Sequence, residues 1–189
     1  GGVGLFNTEN GEISLLSEQF PELKKYKVAN ALAVDNQSRL IVGSDNGLYI
    51  YDPDKKTIWI PEQDGQANSI FNRGSIKYNQ IFKDSEGTLW FATQYGLSIL
   101  TRDGRSYTLG KEEGLSSAIL TVVEDKNHDI WISTFTSIYK VKVDRKPEGY
   151  AFHVISYLSE AEIRQDDLFS FPSLATRDNQ LFFGLMNGF

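Results

Sequence analysis

Residues able to do chemistry are sparse in this chain of 189 residues, and they do not cluster. Three carboxylate pairs stand out: Glu112/Glu113, Glu160/Glu162 and Asp166/Asp167. Two carboxylates held at a fixed separation across a sugar ring cleave glycosidic bonds, but an acidic surface supplies adjacent pairs by chance, and solvated charge accounts for these. The two histidines, His128 in a turn and His153 on a strand, have no His or Cys partner at ligand spacing, which argues against zinc. Asp45-Asn46 and Asp52/Asp54 offer oxygen ligands without the spacing of a calcium loop. No Gly-x-Ser-x-Gly elbow presents a nucleophile. The expectation is therefore no catalytic residue, no metal and no cofactor. Binding is better served. The dipeptides Asp45-Asn46, Gln94-Tyr95, Phe135-Thr136 and Met186-Asn187 set amides, a hydroxyl or a carboxylate among aromatic rings. A flat apolar face beside hydrogen-bonding groups is what a sugar site requires.

The elements that position these dipeptides are copies of one another. "DNQSRLIVGSDNGLYIY" from Asp35, "DSEGTLWFATQYGLSIL" from Asp84 and "DKNHDIWISTFTSIYKV" from Asp125 align on a polar turn, and a shorter copy, "RDNQLFFGLMNGF", starts at Arg177. Seven positions separate Leu40 from Gly47, Leu89 from Gly96, Ile130 from Ser137 and Leu181 from Gly188, and the first three copies start 49 and 41 residues apart. Each unit reads as four strands; in the second copy these are Asn79 to Asp84, Thr88 to Thr93, Leu97 to Thr101 and Ser106 to Gly110. Asn10-Gly11, Asp52-Pro53-Asp54 and Asp103-Gly104 supply turn chemistry. Helical periodicity is brief and confined to Ser159 to Leu168.

The inner strands "RLIVG", "LWFA" and "IWIS" are apolar on both faces, whereas "KVKVD" (Lys140 to Asp144) alternates, as an outermost strand would. Buried inner strands, half-exposed outer strands and a period in the forties describe the blades of an all-β propeller; a β-sandwich is the competing fold. The expected organisation is a single propeller segment over 1–189: a partial blade at 1–30, blades at 31–70, 76–114 and 118–158, and a partial blade at 170–189. That is about four blade equivalents of four-stranded antiparallel sheet, read as part of a larger propeller. In such a fold the loops joining second to third strands share a face with the blade-to-blade connectors. This makes Asp45, Asn46, Gln94, Tyr95, Phe135, Thr136 and Asn187 the candidate ligand-binding residues.

The repeats resemble the two-component regulator propeller repeat. The match rests on Asp84, Gly87, Leu89, Trp90, Thr93, Gly96 and Leu97, repeated at Asp125, Ile130, Trp131, Thr134 and Ile138 and at Asp35, Leu40, Gly43, Gly47, Leu48, Tyr49 and Tyr51. Asp35, Asp84, Gly87, Trp90, Gly96, Asp125 and Trp131 are accordingly read as structural: a carboxylate for the turn, a glycine for positive φ, an indole between blades. Ser137 departs from the pattern, as does "RDNQLFF". The resemblance implies a periplasmic sensor of a hybrid two-component histidine kinase, non-enzymatic, detecting a glycan-derived oligosaccharide. It implies as partners the remaining blades, an immunoglobulin-like domain and a second copy in a homodimer, within a membrane-anchored parent. Streptogramin lyase-like propellers are the enzymatic alternative, with too few histidines here, and a free-standing protein-binding scaffold is another.

Bulk properties agree. Hydrophobic content of 40% and charged content of 23% suit a globular domain. A net charge of −6 argues against the dense basic field that nucleic acid needs, and the absence of cysteine excludes disulfides and thiolate chemistry. No apolar run reaches the ~18 residues of a membrane span. The start on "GGVGLF" and the end on "MNGF" are read as the ends of an excised piece.

Overall fold

A computed structural model describes residues 2–61, 76–115, 117–158 and 169–185, with backbone alone at 169–172. The chain divides into two compact units, residues 1–78 and 79–189.

In the first unit, β1 (Gly4–Phe6) and β2 (Ile13–Leu15) form an antiparallel pair. A four-stranded antiparallel meander follows, built from β3 (Ala29–Val34), β4 (Leu40–Ser44), β5 (Gly47–Asp52) and β6 (Thr57–Trp59) in that spatial order. The connector between the two sheets holds a one-turn helix, α1 (Leu16–Gln19), and a 3-10 turn over Pro21–Lys25. Neither was expected. They are too short to show a period, and what fixes them is burial of Leu16 and Leu23, with Pro21 preset for a first helical turn. Those two leucines join Val3, Tyr26, Val42, Tyr49, Tyr51 and Ile60 in one core. Burial, aided by the Tyr26 ring 5.3 Å away, pushes the Tyr49 phenol up to about 12.

The second unit repeats the meander. Strands β7 (Tyr78–Lys83), β8 (Leu89–Thr93), β9 (Gly96–Leu100) and β10 (Ser106–Leu109) form one sheet, adjacent in chain order. Strands β11 (Thr121–Glu124), β12 (Ile130–Ser133), β13 (Ile138–Lys146) and β14 (Gly149–Leu158) form the next. Strands β15 (Phe169–Ala175) and β16 (Leu181–Leu185) pair antiparallel. The second strand of each complete sheet is buried on both faces, wholly so at β8. Trp90, Leu97, Ile99, Ile119, Ile130, Ile132 and Val141 share one core that runs through the two four-stranded sheets of the unit.

One expectation changes. Lys140 to Asp144 lie on β13, which is the third strand of its sheet, with β14 outside it. The alternation reports a hairpin that outgrows the sheet: β13 and β14 pair out to Lys146↔Gly149, so Lys142 and Asp144 face solvent while Val143 packs on the core. The expected helical periodicity at 159–168 lies outside the described residues.

Candidate binding rim and the turns that support it

The polar turn that opens each repeat is held by one side chain. Asp84 Oδ1 accepts the amides of Glu86 (3.0 Å) and Thr88 (2.8 Å), and its Oδ2 accepts Trp90 Nε1 at 2.9 Å. Asp125 does the same with Asn127, Asp129 and Trp131 Nε1. Asp35 serves Gln37 and Arg39, and there the Arg39 guanidinium replaces the missing indole at 2.8 Å. Thr176 stands where the carboxylate would be in the last copy; its hydroxyl accepts the Gln180 amide and donates to Asp178. A buried carboxylate is tolerated only when such donors surround it. Three positions beyond the anchor the backbone turns left-handed at Ser38, Gly87, His128 and Asn179 (φ 61°, 86°, 64° and 69°). Only one of the four is glycine.

The tight turn at the other end of the inner strands carries the candidate dipeptides. Thr93 Oγ1 donates to Gly96 O at 2.9 Å and accepts the Tyr95 amide at 3.1 Å, leaving Gln94 and Tyr95 as a two-residue tip. Ser44 holds the Asp45-Asn46 tip the same way, donating to Gly47 O and accepting the Asn46 amide. Thr134 holds Phe135-Thr136 with longer bonds of 3.4 and 3.3 Å, where Ser137 replaces glycine. Gly96 adopts φ +126°, and a Cβ there would stand 2.5 Å from Leu109 O, so both conformation and space require glycine.

In the second unit the connector passes beside both tips. The Ile119 amide donates to Thr93 O (3.0 Å) and the Leu120 amide to Ser133 O (2.8 Å). Asn79 Nδ2 donates to Ile119 O at 2.7 Å, and Gln80 Oε1 accepts the Val122 amide at 2.6 Å. Tyr95 is 66% exposed and Phe135 45% exposed, and Gln94 and Thr136 beside them are partly buried. Two exposed aromatic residues therefore sit on two tips that one connector joins through its backbone. In the first unit Asp45 is already engaged: Asn30 Nδ2 donates to its Oδ1 at 2.5 Å and Lys77 Nζ lies 3.8 Å away. Asn187 lies outside the described residues.

Sequence reasoning passed over Asn30, Asn79 and Gln80. A signal was present, since Asn30 precedes Asp35 by five positions and Asn79 precedes Asp84 by five. Two of the groups raised as catalytic candidates have other partners. Glu113 Oε2 accepts the Gly110 amide and caps the connector, and His153 Nε2 lies 3.0 Å from Asp144 at an exposed position. Glu160, Glu162, Asp166 and Asp167 lie outside the described residues. Among the described residues no group of three His, Cys, Asp or Glu is placed to hold a metal ion, and no helix is long and apolar enough to cross a membrane.

Residues 72–95 match the family model described as the two component regulator propeller. No curated protein matches the chain by sequence. Among solved structures, an extracellular domain assigned to a hybrid two component system of B. thetaiotaomicron is similar at 23% identity with a TM-score of 0.66, over 98% of this chain and 23% of that one. A second such domain from B. thetaiotaomicron is similar at 14% identity with a TM-score of 0.67, over 97% of this chain and 23% of that one. The virginiamycin B lyase of Staphylococcus aureus is similar at 18% identity with a TM-score of 0.56, over 86% of this chain and 50% of that one. The chain thus spans about a quarter of the length of the two extracellular domains. At these identities the likeness establishes the all-β propeller-type fold.

Proposed function

We propose, for a chain that carries the two component regulator propeller repeat, that it is part of the extracytoplasmic sensor of a hybrid two-component system and acts by binding rather than by catalysis. The observation that carries this reading is the repeat itself, matched over residues 72–95 and recurring from Asp35 and Asp125 in the same hydrogen-bonded form. The parent would anchor in the membrane, complete the propeller with further blades, add an immunoglobulin-like domain and work as a homodimer. Its ligand is a glycan-derived oligosaccharide taken at the hairpin tips, where Tyr95 and Phe135 supply ring faces and Gln94 and Thr136 supply hydrogen bonds. Binding biases the relative placement of two sensor copies and so the kinase behind the membrane.

A non-catalytic role fits what the carboxylates do. Asp35, Asp84 and Asp125 hold turns, and Glu113 caps a connector. The test is an oligosaccharide screen by calorimetry on the intact sensor, repeated with Tyr95→Ala and Phe135→Ala. Because both rings are exposed, these variants keep the wild-type melting temperature. Heat of binding that disappears in them supports the tips as the site. Binding untouched by both substitutions, or turnover of the sugar, overturns the reading.

A further inference from the structure

The β13–β14 hairpin does more than complete its sheet. Its far half leans on the preceding one: Phe152 meets Trp90 edge to face at 6.0 Å and Tyr107 at 5.0 Å. Arg145 Nη2 lies 2.5 Å from Glu86 Oε2, and the Tyr150 amide donates to the Tyr107 hydroxyl at 3.2 Å. Between the end of the β13–β14 hairpin and β10 lies an open surface crevice of ≈330 Å³ lined by Tyr107, Lys146, Glu148, Gly149, Tyr150 and Ala151. Neither Tyr95 nor Phe135 lines it.

We propose that this crevice is a second ligand site, selective for a neutral pyranose ring. Tyr107 and Tyr150 wall it with aromatic surface, their rings 5.9 Å apart at 65°. An aromatic wall suits the C–H face of a sugar. Lys146 and Glu148, both exposed and flanking the hairpin end, offer an ammonium donor and a carboxylate acceptor to neighbouring hydroxyls. The Tyr107 oxygen already accepts the Tyr150 amide, so its own proton is left to donate. The Lys146 cation and the Glu148 anion cancel, and the nearby Arg105 guanidinium is paired to Asp103 at 3.2 Å, which favours a neutral ring over an acidic one. Glycine at 149 keeps the space open: a Cβ there would lie 3.1 Å from Arg105 Nη1 and 3.2 Å from Tyr107 Oη. This site is independent of the hairpin tips, and either stands if the other fails.

The probe is cellobiose, titrated into the isotopically labelled 189-residue chain by NMR, with glucuronate as the acidic control. The expected result is saturable amide shifts at Tyr107, Gly149, Tyr150 and Ala151, stronger for cellobiose than for glucuronate. Lys146→Met and Glu148→Gln, at exposed positions the fold does not need, each weaken cellobiose at least fivefold. Three results overturn the proposal: shifts confined to Gln94, Tyr95 and Phe135, glucuronate binding as well as cellobiose, or a Lys146→Met/Glu148→Gln double variant with unchanged affinity.

Discussion

Ser85 and Glu124 lie 39 residues apart and join two neighbouring sheets by a two-pronged hydrogen bond. The Ser85 hydroxyl donates to Oε1 at 2.6 Å and its amide to Oε2 at 2.8 Å. His128 completes the group, its Nδ1 2.9 Å from both the Ser85 hydroxyl and Glu124 Oε1. One ring nitrogen faces both partners, so the trio is not arranged as a relay through the imidazole, in which the two nitrogens serve different groups. It is a latch between blades. The next junction has a counterpart, with the Lys126 amide donating to Asn179 Oδ1 at 2.9 Å.

The latch makes stability depend on pH. The hydrogen bond to Glu124 holds the His128 imidazole above its ordinary value, with Glu86 adding to the effect and Arg145 opposing it. A raised folded-state value stabilises fully below the unfolded value and ceases to stabilise as pH rises through the folded one. The expected result is that His128→Asn lowers the melting temperature most in mildly acidic buffer, with a difference that shrinks above neutrality. Melting curves of both proteins across that range check it, and a constant difference counts against the latch. Because the ring is exposed, the difference in melting temperature is small.

The turn geometry gives a second expectation. Ser38 sits at φ 61° where Gly87 occupies the matching turn. An L-residue in this region costs about 1–2 kcal/mol, partly offset by the extra freedom glycine has in the unfolded chain. Ser38→Gly is therefore expected to stabilise the protein by about 0.5–1 kcal/mol, read as a higher urea midpoint at unchanged m-value.

Glycine is indispensable at position 96. Gly96→Ala combines a left-handed backbone with a carbonyl 2.5 Å from the new methyl group, and that neighbour belongs to a strand that cannot step aside. A loss of about 2–4 kcal/mol is expected in urea titrations. Gly104→Ala, with nothing within 4 Å of a Cβ, keeps only the backbone strain and loses less.

Asp84 and Trp90 are expected to act as one unit. Trp90 is 1% exposed, and its indole proton goes to the Asp84 carboxylate. Trp90→Phe leaves a carboxylate oxygen short of a donor, and Asp84→Asn sets an amide N–H against the indole N–H. A double-mutant cycle should return a coupling energy of about 1–2 kcal/mol. A coupling indistinguishable from zero would mean that the indole is held by packing alone.

What the sequence determined here is whatever repeats. Strand positions, doubly buried inner strands and turn carboxylates recur with the period, so four copies reinforce a signal that one would leave ambiguous. Asp84 and Asp125 were legible as turn residues because turn bonding is local, reaching two to four residues along the chain. The tips Gln94-Tyr95 and Phe135-Thr136 were legible for the same reason: a two-residue hairpin is fixed by its flanking strands.

Tertiary structure decided what does not repeat. The short helix at Leu16–Gln19 forms because a core accepts Leu16, and four residues carry no period to read. The Trp90 and Trp131 indoles were visible as packing groups, but their bonds to Asp84 and Asp125 depend on ring orientation. Asp45 seemed free to meet a ligand, yet folding brings Asn30 and Lys77 onto it. The Ser85–Glu124 latch and the Tyr107–Tyr150 crevice join residues about forty positions apart, and the long β13–β14 hairpin reaches back further, to Trp90. Contacts between neighbouring sheets depend on how far each strand extends and how the blades pack, and no local pattern of residue types encodes either.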